Sequence, residues 1–503
     1  MFNPVTTWQD DTEYRISFLN QKAKFSSDQR LDLQMYRSFI TKMLALKLDP
    51  TLDVLLGLYP DTGRPAKNQS QIIRSCILFT FLLGKNMASF SLTAWVRSVL
   101  PNSPLFIALV GCSSPDQLPP LGSYYDFMHR LWNAPRYNFS RSALLPAGRN
   151  SKKPKKELGP DDKLIDPEPE SHSTVALKNT ILSGKELSNN PEAFLEDFFY
   201  LSAVLPSLQS GLIDASNLTL SGDGTAVAVH ASPFGHRQKG CDAPANCPYH
   251  SNCPRHYSDP DADWGWDSHE KVWFFGRTLY MLCSRTIAYK TEVPILMKFL
   301  SAKRHDSICF FYSIDELGRH MPGISPKNMC LDSAHDNIAT YELLKHWDIN
   351  ALIDINSRNS SCDGLPDDIS IDKSGHVHCM AVHTMCSWGY DKIKEANKYR
   401  CPLVCGRISS CSCKDQCSSS SYGRTVHIKV NDDLRHFPSI PRDSNEYRKL
   451  YAERTACERV NNRVLNDYHL LKLKIRGDCH YSYWTLMIGI CLHLDARAKA
   501  GLL

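Results

Sequence analysis

The 503-residue chain has no long hydrophobic run and no apolar core of a signal peptide near its start. Ile72–Met87 comes nearest, but it falls short of the ~20 apolar residues a spanning helix needs, and Arg74 interrupts it. A membrane-spanning helix is thereby excluded, and the protein is read as cytoplasmic. Charge of one sign is also scarce. Lys and Arg total 58 against 53 Asp and Glu, a net charge of +5, so the overall balance does not announce a nucleic-acid binder. Paired Cys-x2-Cys ligands of the common zinc folds are missing, although there are 19 cysteines. With no signal peptide these are not a secreted disulfide framework and read as reduced thiols, some of them available to metal.

What is present is ordinary globular composition, 42% hydrophobic and 22% charged, in a chain long enough for about three domains. Residues 1–29 are polar and uninformative. Apolar residues at three-to-four spacing then predict helices over Leu31–Leu48, Thr51–Leu58, Ser70–Leu83 and Ser91–Val99. Residues 1–144 are therefore expected to be helical. A helix-turn-helix-like DNA-binding region, with Arg64 and Lys67 in the turn, and a helical bundle without ligand both fit this pattern. Hydrophobic periodicity vanishes over 145–175, where Lys152, Lys153, Lys155 and Lys156 cluster, and this reads as a charged flexible linker.

From residue 176 the order resumes. A helix is expected over Pro191–Leu208, then a strand carrying Asp223 near its middle in Asn217–His230. Beyond a polar interruption at 231–271 come strands over Trp273–Ser284 and Pro294–Leu300 and a helix over Ser307–Leu317. A strand ending at Asp332, a helix over Ile338–His346 and a strand over Ala351–Ile355 follow. This order suits a mixed α/β sheet. Residues 357–443 are rich in Ser, Gly, Cys and Pro, with only Arg424–Val430 reading as a strand. A helix from Ser444 to about Asp467 and a last apolar helix, Tyr483–Leu494, close the chain.

An isolated carboxylate on a buried strand is costly, so Asp223 calls for a cation or for another charge brought from a distance. Asp332 and Glu458 complete an Asp…Asp…Glu set that can hold two Mg²⁺ about 4 Å apart for phosphoryl transfer. In Tyr451-x2-Arg454-x3-Glu458 the three side chains share one helical face, with Arg454 placed to grip a phosphate. Glu453, the rival third acid, falls roughly opposite.

Tyr451-x2-Arg454-x3-Glu458, together with LSGDGTAVAVH and CLDSAHDN, resembles the signature motifs of DDE transposases of bacterial insertion sequences. The resemblance covers roughly residues 200–480, and Gly63-Arg64-Pro65 is similar to the family's N-terminal module. It implies an α/β fold: an RNase H-like catalytic core (176–356 and 444–503), a helical N-terminal domain and Cys-rich insertions at 231–271 and 357–443. It also implies Asp223, Asp332 and Glu458 as Mg²⁺ ligands, with Mn²⁺ able to substitute, and Tyr451 and Arg454 as contacts to double-stranded DNA. Arg459 and Arg463 are further DNA-contact candidates. Leu465 stands where relatives often carry a lysine, with Arg463, Lys472 or Lys474 as its replacement. The implied activity is cleavage at terminal inverted repeats and strand transfer, by a homodimer or larger assembly. A nuclease without strand transfer, and a zinc-stabilised DNA-binding protein derived from a transposase, are the alternatives.

Cys241, Cys247, Cys253 and His256 fall in the first insertion, and Cys401, Cys405, Cys411, Cys413 and Cys417 in the second. Structural zinc and free thiols both suit these spacings. His230, His236, His335 and His427 read as structural or DNA-facing rather than as metal ligands; His335, three residues past Asp332, stands where it could reach a phosphate or the attacking water.

Overall fold

Nearly continuous apolar sequence makes Gln69–Leu83 a helix (α1) that is buried at every position. Its one charge, Arg74, is 1% exposed. It lies 3.9 Å from the Tyr14 ring centre and donates to Gln9 Oε1 at 2.7 Å. Tyr14 belongs to a helix over Asp11–Ala23 that the polar opening of the sequence concealed. Asp10 caps it, accepting from the amides of Thr12 and Glu13.

The computed structural model describes residues 8–59, 67–132, 143–145, 173–187, 190–237, 255–356, 365–372, 375–413, 417–429 and 433–503. Arg64, Cys241, Cys247, Cys253 and most of the 145–175 segment lie outside these, as does the His256 side chain. No single helix among the described residues is long and apolar enough to cross a membrane.

A short helix, α2 (Ala193–Phe199), leads to a six-stranded mixed sheet. Its strands are β1 (Thr219–Ala228), β2 (Asp263–Asp267), β3 (Val272–Thr286), β4 (Thr291–Ser301), β5 (Asn328–Leu331) and β6 (Asn350–Ile353). Antiparallel β3 lies between β1 on one side and β2 and β4 on the other. On the far side of β1 run β5 and then β6, both parallel. Helices α3 (Asp306–His320) and α4 (Ile338–His346) make the crossovers that parallel strands require. The expected order of strands and helices is present, and so is the mixed α/β class.

Residues 357–443 hold more structure than the single strand expected of them. Strands β7 (Ile369–Ile371) and β8 (Val377–Cys379) pair together. Strands β9 (Cys386–Asp391), β10 (Ala396–Arg400) and β11 (Thr425–Lys429) form an antiparallel sheet. Such short strands, separated by Gly, Cys and Pro, show too few alternations to stand out in sequence. The helix expected from Ser444 is broken. Asn445–Tyr451 passes through a tight turn at Ala452–Arg454 into α5 (Thr455–Asn462), and wider turns follow at Arg463–Asp467.

The last helix, α6 (Asp478–Lys499), begins and ends about five residues beyond its expected bounds and ties the chain together. It packs Trp484 on Phe79 of α1 at 5.4 Å and salt-bridges Asp495 to Lys42 at 2.7 Å. Its His493 joins Ser207 to the Pro294 carbonyl of β4. The N-terminal helices therefore share one continuous core with the sheet.

At the first residue of α6, Asp478 meets Arg277 of β3, which also binds both oxygens of Asp259 at 2.6 and 3.0 Å. Arg277 is 1% exposed and stacks on Tyr481. Arg277→Ala would strand two acids there, so we expect a loss of about 3–5 kcal/mol in urea unfolding. Arg277→Lys should restore little, because an ammonium cannot reproduce the fork.

Candidate active site

Strand β5 is short. Its parallel pairing with β1 ends at Ser221↔Cys330, while β1 runs on to Ala228. Two residues further along each strand in this register stand Asp223 and Asp332. A notch thus opens past the end of β5 and brings together two acids 109 positions apart in sequence. Asp332 stays there because its side chain caps the turn Ser333–His335, accepting from the Ala334 amide at 3.0 Å.

His335 is fully buried. Its Nδ1 lies 2.6 Å from Asp332 Oδ1 and its Nε2 2.8 Å from the Tyr280 hydroxyl. Both ring nitrogens are engaged inside the protein, in agreement with a structural role and not with a reach to phosphate or water. His335 fixes the orientation of Asp332. Burial opposes ionisation of Asp332, but the His335 hydrogen bond and charge outweigh it and hold the carboxyl below its usual value.

A further acid, Asp306, lies close to the pair, on the face of β1 opposite the Asp223 side chain. Asp306, first residue of α3, points at β1 where Gly224 leaves room. A Cβ there would collide with the Asp306 carboxylate. Gly222, on the other side of Asp223, does the same for Tyr280, whose hydroxyl would lie 2.7 Å from a Cβ. Gly222 and Gly224 thus make room for groups on the face of β1 opposite the Asp223 side chain. Burial, then the charges of Asp306 and Asp332, push Asp223 up to about 7, partly offset by His335 and Arg454. Burial, with the Asp332 charge adding to it, also raises Asp306. Sequence reading missed Asp306; the glycine beside Asp223 is the one signal that a side chain from elsewhere had to fit.

Helix α5 is pinned to β1 by Cys457, whose thiol donates to the Ser221 carbonyl at 2.9 Å. This sets Arg454 and Glu458 near the notch. Burial works against the Arg454 charge, yet Tyr451, Glu458, Asp223 and Asp332 together raise its pKa. Its guanidinium lies 3.0 Å from Glu458 Oε1, and Glu458 is half exposed. Tyr451, Arg454 and Glu458 do share a side of the chain, the Arg454 guanidinium lying 6.0 Å from the Tyr451 ring centre. Glu453 turns away toward Arg285, Arg459 and Glu292.

The remaining expected contacts are largely engaged within the protein. Tyr451 is stacked on Tyr447 and bonded to the Leu331 carbonyl. Arg459 pairs with Glu292 at 2.9 Å and Arg463 with Asp495 at 3.6 Å. Lys67 is exposed. Cys411 and Cys413 lie 3.2 Å apart as thiols, with Cys417 hydrogen-bonded to Cys413. The Cys405 thiol meets Cys386, a residue outside the expected cluster.

Among the described residues, the group whose ligand atoms all lie within 4.8 Å of one another is Glu196, Glu316 and His320, and it could hold a metal ion. It sits at the far end of α3 from Asp306. The Lys298 ammonium already stands 3.5 Å from Glu196 and 3.7 Å from Glu316, and Asn190 bridges the two acids. This favours a neutralised ion network over a vacant metal site. The chain matches no model of a known protein family and no curated protein.

Replacing Asp306 with Asn removes a like charge beside Asp223. The Asp223 titration should then fall from about 7 toward the ordinary carboxylate range, read by carbon NMR of labelled aspartate carboxyls. An unchanged midpoint would show that Asp306 does not act on Asp223.

Proposed function

We propose that the chain is a DDE-type transposase that cuts DNA at the ends of a mobile element and joins them to target DNA. The observation that carries this reading is the notch itself: parallel register sets Asp223 beside Asp332, and α5 brings Arg454 and Glu458 alongside. The three-stranded antiparallel meander followed by two parallel strands supports an RNase H-like core.

The donor set suits Mg²⁺, a hard cation that takes carboxylate oxygens. Asp223 and Asp332 would hold it, with Glu458 and Asp306 the nearest further acids. Two such ions, when bound, activate the attacking oxygen and stabilise the leaving one.

The chain's own groups do the rest. Asp223, raised to about 7 by burial and its acidic neighbours, would serve as a carboxylate ligand when ionised. His335 and Tyr280 keep Asp332 in place. Arg454 supplies the positive charge that currently offsets Asp223 and Asp332, and Glu458 is its partner. Glu458 would be one of the residues available to hold a cation, and the Arg454 guanidinium would then be free to grip a phosphate bidentately. Zinc bound among Cys401, Cys405, Cys411, Cys413 and Cys417 would close a loop with little core of its own. A homodimer or larger assembly, acting in the cytoplasm on two ends, completes the reading.

Asp223→Asn should abolish cleavage and joining of end-containing DNA in Mg²⁺ while leaving end binding unchanged. Cutting at the wild-type rate would sink the assignment. A strand-transfer assay with pre-cut ends separates a transposase from a nuclease, which would fail to join them. Mn²⁺ should raise the Tm of the wild-type protein and leave that of Asp223→Asn unmoved, tested in a buffer free of DNA.

A further inference from the structure

The parallel register that sets Asp223 beside Asp332 continues one strand further. β5 and β6 pair from Asn328↔Asn350 to Leu331↔Ile353, so the next residues, Asp332 and Asp354, leave the ends of neighbouring strands side by side. Asp332 is committed to its turn and to His335. Asp354 is exposed and is used differently.

The segment that covers these strand ends is the Asn445–Tyr451 helix. Ser444 caps it, accepting from the Tyr447 amide at 3.0 Å. Tyr447 is buried with Cys330, Leu352 and Ile440, and the Cys330 thiol donates to the Leu450 carbonyl at 3.3 Å. Tyr451 stacks on Tyr447, with ring centres 5.3 Å apart and planes 18° from parallel. This lays the Tyr451 hydroxyl over the end of β5. There it donates to the Leu331 carbonyl at 3.3 Å and hydrogen-bonds the Asp354 carboxylate.

A phenol has one proton to donate. Both of these partners are acceptors, so that proton is turned inward. Burial, and then Asp354, push the phenol above its ordinary value and keep the proton on it. A phosphate oxygen also needs a proton from its partner, and Tyr451 has none to spare. What the hydroxyl fixes lies on its other side. The tight turn Ala452–Arg454 starts from Tyr451, and the Arg454 guanidinium stands 6.0 Å from its ring centre.

We propose that Asp354 is a positioning residue: it anchors the Tyr451 hydroxyl and, through that ring and the turn after it, sets where Arg454 meets a phosphate. That the phosphate belongs to DNA rests on the function proposed above.

The test uses the full-length protein labelled at arginine Cζ, with the Arg454 carbon signal identified by its loss in Arg454→Lys. Asp354→Ala and Tyr451→Phe should each move that signal, and the double variant should move it no further than either alone. Asp348→Asn, which removes a charge from the exposed turn before β6, should leave it in place. On a labelled duplex carrying the element's end, both single variants should cut roughly ten-fold more slowly at saturating DNA, with half-saturation unchanged. Asp354→Asn keeps an acceptor oxygen and should regain most of the rate. Wild-type Tm values would show that each variant is folded, and Mn²⁺ should still raise the Tm of Asp354→Ala.

An Arg454 signal that stays in place in Asp354→Ala overturns the proposal. So does an Asp354→Asn variant as slow as Asp354→Ala, or an Asp354→Ala Tm that Mn²⁺ does not raise, since a cation ligand would behave in that way. If the wild type cuts no DNA, the transposase reading fails alone, and the Arg454 signal still decides the role of Asp354.

Discussion

Repulsion among carboxylates crowded into one notch is the constraint on which the rest of the molecule depends. Asp223, Asp306 and Asp332 arrive from a strand, a helix and a turn, and each makes ionisation of Asp223 harder or easier by where it is held. The protein answers this repulsion with a raised pKa at Asp223, the buried His335 on Asp332 and the half-buried Arg454. Such an arrangement costs stability in isolation. The glycines either side of Asp223, the hydroxyl of Tyr280 and the thiol of Cys457 all follow from fitting these groups round one strand.

A second ion network at the other end of α3 makes a useful contrast. Lys298 supplies a permanent internal cation to Glu192, Glu196 and Glu316. There the compensating cation is a buried lysine, whereas in the notch it is His335 and Arg454. Both ends rest on the single core that α6 builds with α1 and β4, so the notch sits on a scaffold with little freedom to shift.

Much of this fold was legible in the chain. Ile338–His346 has the very bounds that helical spacing predicts, and the β-branched and apolar runs over β1, β3, β4 and β5 lie within a few residues of their strands. Asp223 and Asp332 could be chosen as partners from their strand positions. Residues whose meaning depends on what folds against them could not. Asp306 reads in sequence as the polar close of a strand, and His335 as structural or DNA-facing without a way to choose between the two. The strands of the insertion are too short to carry a period, and the break at Ala452–Arg454 interrupts residues whose spacing looks like one helix.

The sequence by itself determined the alternation of strands and helices, the acids at strand ends and the shared side of Tyr451, Arg454 and Glu458. These depend on local periodicity, which a chain carries wherever it goes. Only the tertiary structure decided that Asp306 also comes close to the two aspartates and that His335 faces inward. It likewise set Asp354 beside Asp332, within reach of the Tyr451 hydroxyl. Those outcomes turn on register between distant strands, on burial and on the sum of neighbouring charges, none of which is written in any short stretch of residues.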